Sequence, residues 1–169
     1  MDVFNPVPHI LTLAAAYVLA VPIGWNRERE ERSAGLRTFP LVAVASAGFV
    51  QAVEGLTAAD PAAMARVLEG VIAGIGFLGG GAILQRKDSI RGTATAASLW
   101  ITGAIGVSAG LGIYDVAVTL AIFTMATLWF MRPLKQEAMA DAGGVAARDD
   151  PPREGEPSTA AIVERTERP

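Results

Sequence analysis

Three long runs of this sequence carry no charge. No Lys, Arg, Asp or Glu occurs from Val3 to Trp25, from Thr93 to Tyr114, or from Val116 to Met131. A soluble domain of this length breaks its apolar segments with charge every turn or two. Charge-poor apolar runs of about 18 residues or more read instead as membrane spans. The mean hydropathy of +0.38 agrees with that reading. The net charge of −3 says little, because it averages a basic part with an acidic C-terminal segment. The chain has no Cys, which excludes disulfides and thiolate metal sites. The expected fold class is all-α: a polytopic membrane helix bundle of about five transmembrane helices.

One further uncharged stretch organises the rest. Gly70 to Leu84, GVIAGIGFLGGGAIL, has six glycines in fifteen positions. In water each interior glycine costs a helix about 1 kcal/mol relative to alanine. In a bilayer, small residues four apart let two helix backbones approach closely. Gly70 and Gly74 have that spacing, as do Gly76 and Gly80, and Gly106 and Gly110 further on. With Gly79 and Gly81, these residues are the expected helix-packing positions. Gly74, Gly76 and Gly79 also spell G-x-G-x-x-G, but no βαβ pattern surrounds them, so nucleotide binding is rejected.

The spans expected along the chain are about Pro8–Gly24, Phe39–Val53, Val67–Leu84, Ala96–Gly112 and Val116–Met131. Nothing before Arg27 is positive, so a secretory signal peptide is not expected. Pro22 should kink or end the first helix. Thr38 is a candidate cap for the second, with Pro40 in its first turn. Thr93 and Thr95 are candidate caps for the fourth. Glu54 to Arg66 reads as a short connection with a turn at Asp60-Pro61, and Gln85 to Gly92 as a polar loop. Glu28 and Arg32 are spaced for an i,i+4 pair. From Arg132 the composition changes. Residues 133–169 are expected to form a cytoplasmic tail without a fold of its own, with Leu134 to Met139 helical, and residues 1–132 the membrane domain.

Five spans place nine basic residues near the membrane on one side: Arg27, Arg29, Arg32, Arg37, Arg86, Lys87, Arg91, Arg132 and Lys135. The other side receives Arg66. The positive-inside rule then puts the N-terminus outside and the C-terminus in the cytoplasm.

Two groups are candidate sites. Arg27, Glu28, Arg37, Thr38, Arg91 and Thr95 gather at the basic ends of spans. They read either as topology-setting charge or as a polar cluster in which Glu28 pairs with arginine and helix starts add N–H donors. Such a cluster suits an anion or a partner loop and suits Mg²⁺ poorly, since Mg²⁺ wants oxygen ligands. Glu54 and Glu69 lie near the opposite face. They read as interfacial charges, Glu69 with Arg66, or as a cation access site. The hydroxyls of Thr93, Thr95, Ser98 and Thr102 read as caps and interhelical hydrogen bonds. His9, the single histidine, reads as interfacial. No catalytic triad, metal-ligand set or P-loop is present in the sequence, so no enzyme is expected, and no cofactor beyond a possible Mg²⁺ ion. The expected partners are the lipid bilayer and other membrane proteins or a second copy, and no nucleic acid.

Several motifs occur in order: G-x-x-R-E at Gly24, Arg27 and Glu28; A-G-L-R-T at Ala34 to Thr38; G-I-G-F-L-G at Gly74 to Gly79; R-G at Arg91-Gly92; and T-A-A-S-L-W at Thr95 to Trp100. Over about Gly24 to Tyr114 the sequence resembles the MgtC/SapB family of bacterial membrane proteins. The resemblance implies a multi-span domain in the bacterial inner membrane. It departs from the family pattern at Phe39, where His is common, at Gly80, where Ala is usual, and at Gly70, where a polar residue is frequent. Many members carry a folded cytoplasmic C-terminal domain, which the composition after Arg132 does not resemble. The family is linked to adaptation to low Mg²⁺ and to survival of pathogens inside host cells. Its resemblance implies either a regulator acting through other membrane proteins, such as the F-type ATP synthase, or a Mg²⁺ or other ion transporter. For transport, Gly79 to Gly81 would be a helix break near the midplane.

Overall fold

The computed structural model describes residues 6–30, 34–57, 61–86 and 89–149. Five helices follow in order: α1 (Val7–Arg29), α2 (Thr38–Thr57), α3 (Pro61–Ala82), α4 (Thr93–Gly110) and α5 (Tyr114–Asp149). Between α3 and α4 lies a small antiparallel pair, β1 (Leu84–Arg86) and β2 (Ser89–Arg91). Its register sets Leu84 opposite Arg91 and Arg86 opposite Ser89. The segment read as a polar loop is therefore a short hairpin. The chain divides into two units, Met1–Trp129 and Phe130–Pro169.

Among the described residues, three helices are long and apolar enough to cross a membrane: Val7–Arg29, Ala62–Ala82 and Tyr114–Met131. Thr38–Glu54 is a shorter apolar helix. α4 is uncharged, but threonine, serine and glycine dilute it.

Several boundaries differ from expectation. α1 does not end at Pro22 but runs through it to Arg29. Proline removes one donor, and membrane helices tolerate this when neighbours satisfy the freed carbonyl. α3 begins at Pro61, a residue suited to the first helical position, so most of the expected connection is helix. α3 also continues unbroken through Gly79–Gly81 to Ala82, so the expected break is absent. The G-x-G-x-x-G glycines lie inside this helix. The change of composition at Arg132 does not end α5, which continues to Asp149; residues 150–169, where the tail expectation mostly falls, lie outside the described residues, as does Arg32 of the expected Glu28 pair.

The first unit is held by close helix contact. α2 packs against α1, α3 and α4. Ala16 and Ala20 of α1, Ala43 and Ala47 of α2, and Ala109 of α4 form one buried cluster. Small residues at four-residue spacing on three helices let the backbones meet. A Cβ on Gly106 would collide with the Ala43 carbonyl oxygen, and one on Gly110 would lie 2.8 Å from Val50 Cβ. With lipid on the outside there is no hydrophobic drive to bring helices together, so this close packing must supply the attraction. A second cluster places Ile23, Phe39, Leu99 and Ile105 beside Ala117 and Ala121 of α5.

Helix ends follow local chemistry. Gly112 has φ of 75°. The Ile113 N–H donates to Ser108 O at 2.8 Å and the Gly112 N–H to Ala109 O at 3.0 Å. This is the Schellman arrangement, and it satisfies two end carbonyls of α4. At the other end of α4 the cap is Gly92, φ 92°, without a side-chain cap bond, so Thr93 and Thr95 do not act as caps. A Cβ at Gly92 would run into the Ala82 carbonyl oxygen, which ties the hairpin closely to the end of α3.

Candidate functional site

The polar cluster forms where α1 leaves the bundle and α2 enters it. Gly24 lets the two segments touch: a Cβ there would stand 3.2 Å from Gly35 O and 3.3 Å from Phe39 Cβ. Phe39 is fully buried beneath this contact. One turn on, Glu28 Oε2 accepts the Leu36 N–H at 3.1 Å, and its carboxylate lies over Gly35 so closely that a side chain there would displace it. The G-x-x-R-E and A-G-L-R-T motifs are thus two halves of one joint. The Gly35 carbonyl oxygen then accepts the Thr38 and Phe39 N–H groups at 3.0 and 3.2 Å, starting α2.

Glu28 was expected to pair with arginine. Among the described residues it accepts from the backbone of Leu36, and the ion pair there joins Arg27 Nη2 to Glu30 Oε2 at 3.1 Å. Arg27 is 3% exposed and also donates to Asn26 Oδ1 at 2.7 Å. Glu30 is the residue that sequence reasoning missed, although its i,i+3 spacing from Arg27 was visible. Arg29 stacks over Trp25, 5.2 Å from the ring centroid. Arg37 and Arg91 are exposed.

Thr95 faces inward and is 1% exposed; its Oγ1 has no hydrogen-bond partner among the described residues. The hydroxyls expected to bridge helices mostly do not. Ser98 donates to Ala94 O and Thr102 to Ser98 O, each four residues back on the same helix. That spends the hydroxyl proton locally. A bridge does form elsewhere: Thr12 of α1 and Tyr114 of α5 share a hydrogen bond of 2.9 Å.

The glycine positions split into two groups. Gly106 and Gly110 pack as expected, and a Cβ added at Gly79 would stand 3.6 Å from the Ala96 carbonyl oxygen of α4. Gly70, Gly74, Gly76, Gly80 and Gly81 do not: a Cβ at any of them meets nothing within 4 Å. They lie on faces of α3 turned away from Val71, Ile75 and Ala82, its buried side. Gly24, Gly35 and Gly103 do pack, and spacing rules for small pairs did not point to them. Glu54 and Glu69 are exposed, on α2 and α3 respectively.

A family model, that of the MgtC family, matches residues 13–137. This chain belongs to the MgtC family. Among curated relatives, Protein MgtC of Brucella abortus is 40% identical over 135 residues, covering 79% of this chain and 56% of that protein. Protein SrpB of Synechococcus elongatus is 40% identical over 138 residues, covering 75% and 76%. Protein MgtC of Salmonella typhimurium is 38% identical over 129 residues, covering 76% and 54%. The matched part of this MgtC-family chain therefore spans just over half the length of the two MgtC relatives. No solved structure matches. The apolar helices and the family together make the chain a bacterial membrane protein of the MgtC type.

Proposed function

We propose that this MgtC-family chain crosses the bacterial inner membrane five times, with its N-terminus outside and its C-terminus in the cytoplasm. It acts there as a regulatory adaptor in adaptation to low Mg²⁺ or a related stress, by binding another membrane protein or a second copy of itself. The orientation is supported by the nine-to-one distribution of basic residues. The adaptor reading rests on one observation above all, the outer face of α3. Ala73, Gly76 and Gly80 are exposed there, and an added Cβ at either glycine meets open space. Glycine inside a helix costs about 1 kcal/mol, and here the described residues offer no close contact in return. A helix from outside would supply it.

Replacing both Gly76 and Gly80 with Leu tests this. Association in bilayers, read by energy transfer between labelled copies and by crosslinking in native membranes, should fall to background while insertion and thermal stability stay at wild-type level. Unchanged association would overturn the reading. Saturable Mg²⁺ uptake into proteoliposomes, lost in Glu69→Gln, would establish a transporter instead.

A further inference from the structure

A long apolar groove runs between α2 and α3, on a different side of α3 from the proposed adaptor face. Its volume is about 750 Å³. Leu41, Ala45 and Phe49 line it from α2, and Gly70, Gly74 and Leu78 from α3. The two glycines keep it open, since neither position has anything within 4 Å of an added Cβ. Among the described residues, the single charged one in its lining is Arg37, at one end beside Thr38.

We infer that this groove holds one anionic phospholipid of the leaflet on the arginine-rich side, its phosphate on Arg37 and an acyl chain between the helices. Three features select this occupant. The first is charge: a positive group at one end of a channel whose lining is apolar but for Thr38 and Ser46 complements a ligand with one anionic head and a long apolar tail. The second is length. From Arg37 to Phe49 the groove follows twelve helical steps, about 18 Å at 1.5 Å per residue. One leaflet contributes about 15 Å of hydrocarbon, half of the usual 30 Å core. The third is the rim: Leu41, Phe49 and Phe77 are 64%, 59% and 83% exposed, apolar walls that an acyl chain can lie against.

The test uses the full chain, reconstituted in vesicles of phosphatidylcholine with a minority of phosphatidylglycerol, extracted gently and weighed by native mass spectrometry. The wild type should retain one phosphatidylglycerol per chain in preference to phosphatidylcholine. Arg37→Gln should lower that retention about fivefold, the effect of one basic residue at a membrane surface. Gly74→Leu, and Gly70→Leu as a second filler, should remove the retained lipid altogether. Arg29→Gln, which removes a neighbouring charge outside the groove, and Gly76→Leu, on the adaptor face, should retain it like the wild type. Equal losses in Arg29→Gln and Arg37→Gln would mean diffuse attraction and overturn the site. So would full retention in both fillers. A disulfide-linked dimer of Gly74→Cys, in a chain otherwise free of cysteine, would show a second copy in the groove and overturn it as well. Loss of association in Gly76→Leu with lipid retained separates this site from the adaptor face.

Discussion

At the scale of single residues, Glu28 and Gly35 form the most specific contact of the basic end. Gly35 is there because the Glu28 carboxylate occupies the space a Cβ would take, and because its carbonyl oxygen starts α2. An exposed carboxylate accepting one backbone N–H is worth about 1 kcal/mol. Gly35→Ala and Glu28→Ala should each lower stability by about 1–2 kcal/mol. Because both act on the same contact, the double variant should cost clearly less than the sum. Thermal unfolding in detergent micelles reads this, and strict additivity would show that the two residues act separately. Arg27 is a different case. It is buried and bonded to Glu30 and Asn26, so its removal disturbs a polar group that water does not reach. A buried ion pair broken on one side leaves the other partner poorly compensated.

At the scale of elements, α4 and α3 use glycine in opposite ways. On α4, Gly103, Gly106 and Gly110 are contact points with α2 and α3. Leucine at Gly106 would force α4 away from Ala43 and Ser46, both buried against it. Overpacking of a tight core costs about 1–3 kcal/mol, and backbone contact leaves little room to relax. Gly106→Leu should therefore unfold at least as readily as a Gly35→Ala protein, whereas Gly76→Leu should keep wild-type stability. Equal melting of Gly106→Leu and Gly76→Leu would contradict the packing described. The spacing Gly-x-x-x-Gly is the same in both helices. It says that a close approach is affordable to the backbone, and not which neighbour makes it.

At the scale of the whole molecule, the proposed orientation makes a prediction that the absence of cysteine renders easy to check. Ala62 lies at the start of α3 and Ile90 in β2, beyond the other end of α3, and both positions are exposed. In intact cells a membrane-impermeant maleimide should label Ala62→Cys and leave Ile90→Cys unlabelled until the membrane is opened. Labelling of Ile90→Cys from outside would invert the topology, and labelling of both from one side would remove the α3 span. The arrangement of basic residues alone motivates this experiment.

What the amino-acid order determined by itself is the one-dimensional part. Uncharged runs mark apolar helices because a bilayer excludes charge and requires every backbone group to be paired within the segment. Gly112 marks the end of α4 because φ preference is local. The ordered motifs identified the family before any contact was known. What only the tertiary structure decided is which partner each residue meets. Among the described residues Glu28 found the Leu36 N–H. Thr102 turned its hydroxyl onto its own helix. Five of the six glycines on α3 faced away from the described neighbours. Each of these depends on the rotation and lateral distance of neighbouring helices, set by the shapes of all the side chains between them, which spacing along one helix does not contain.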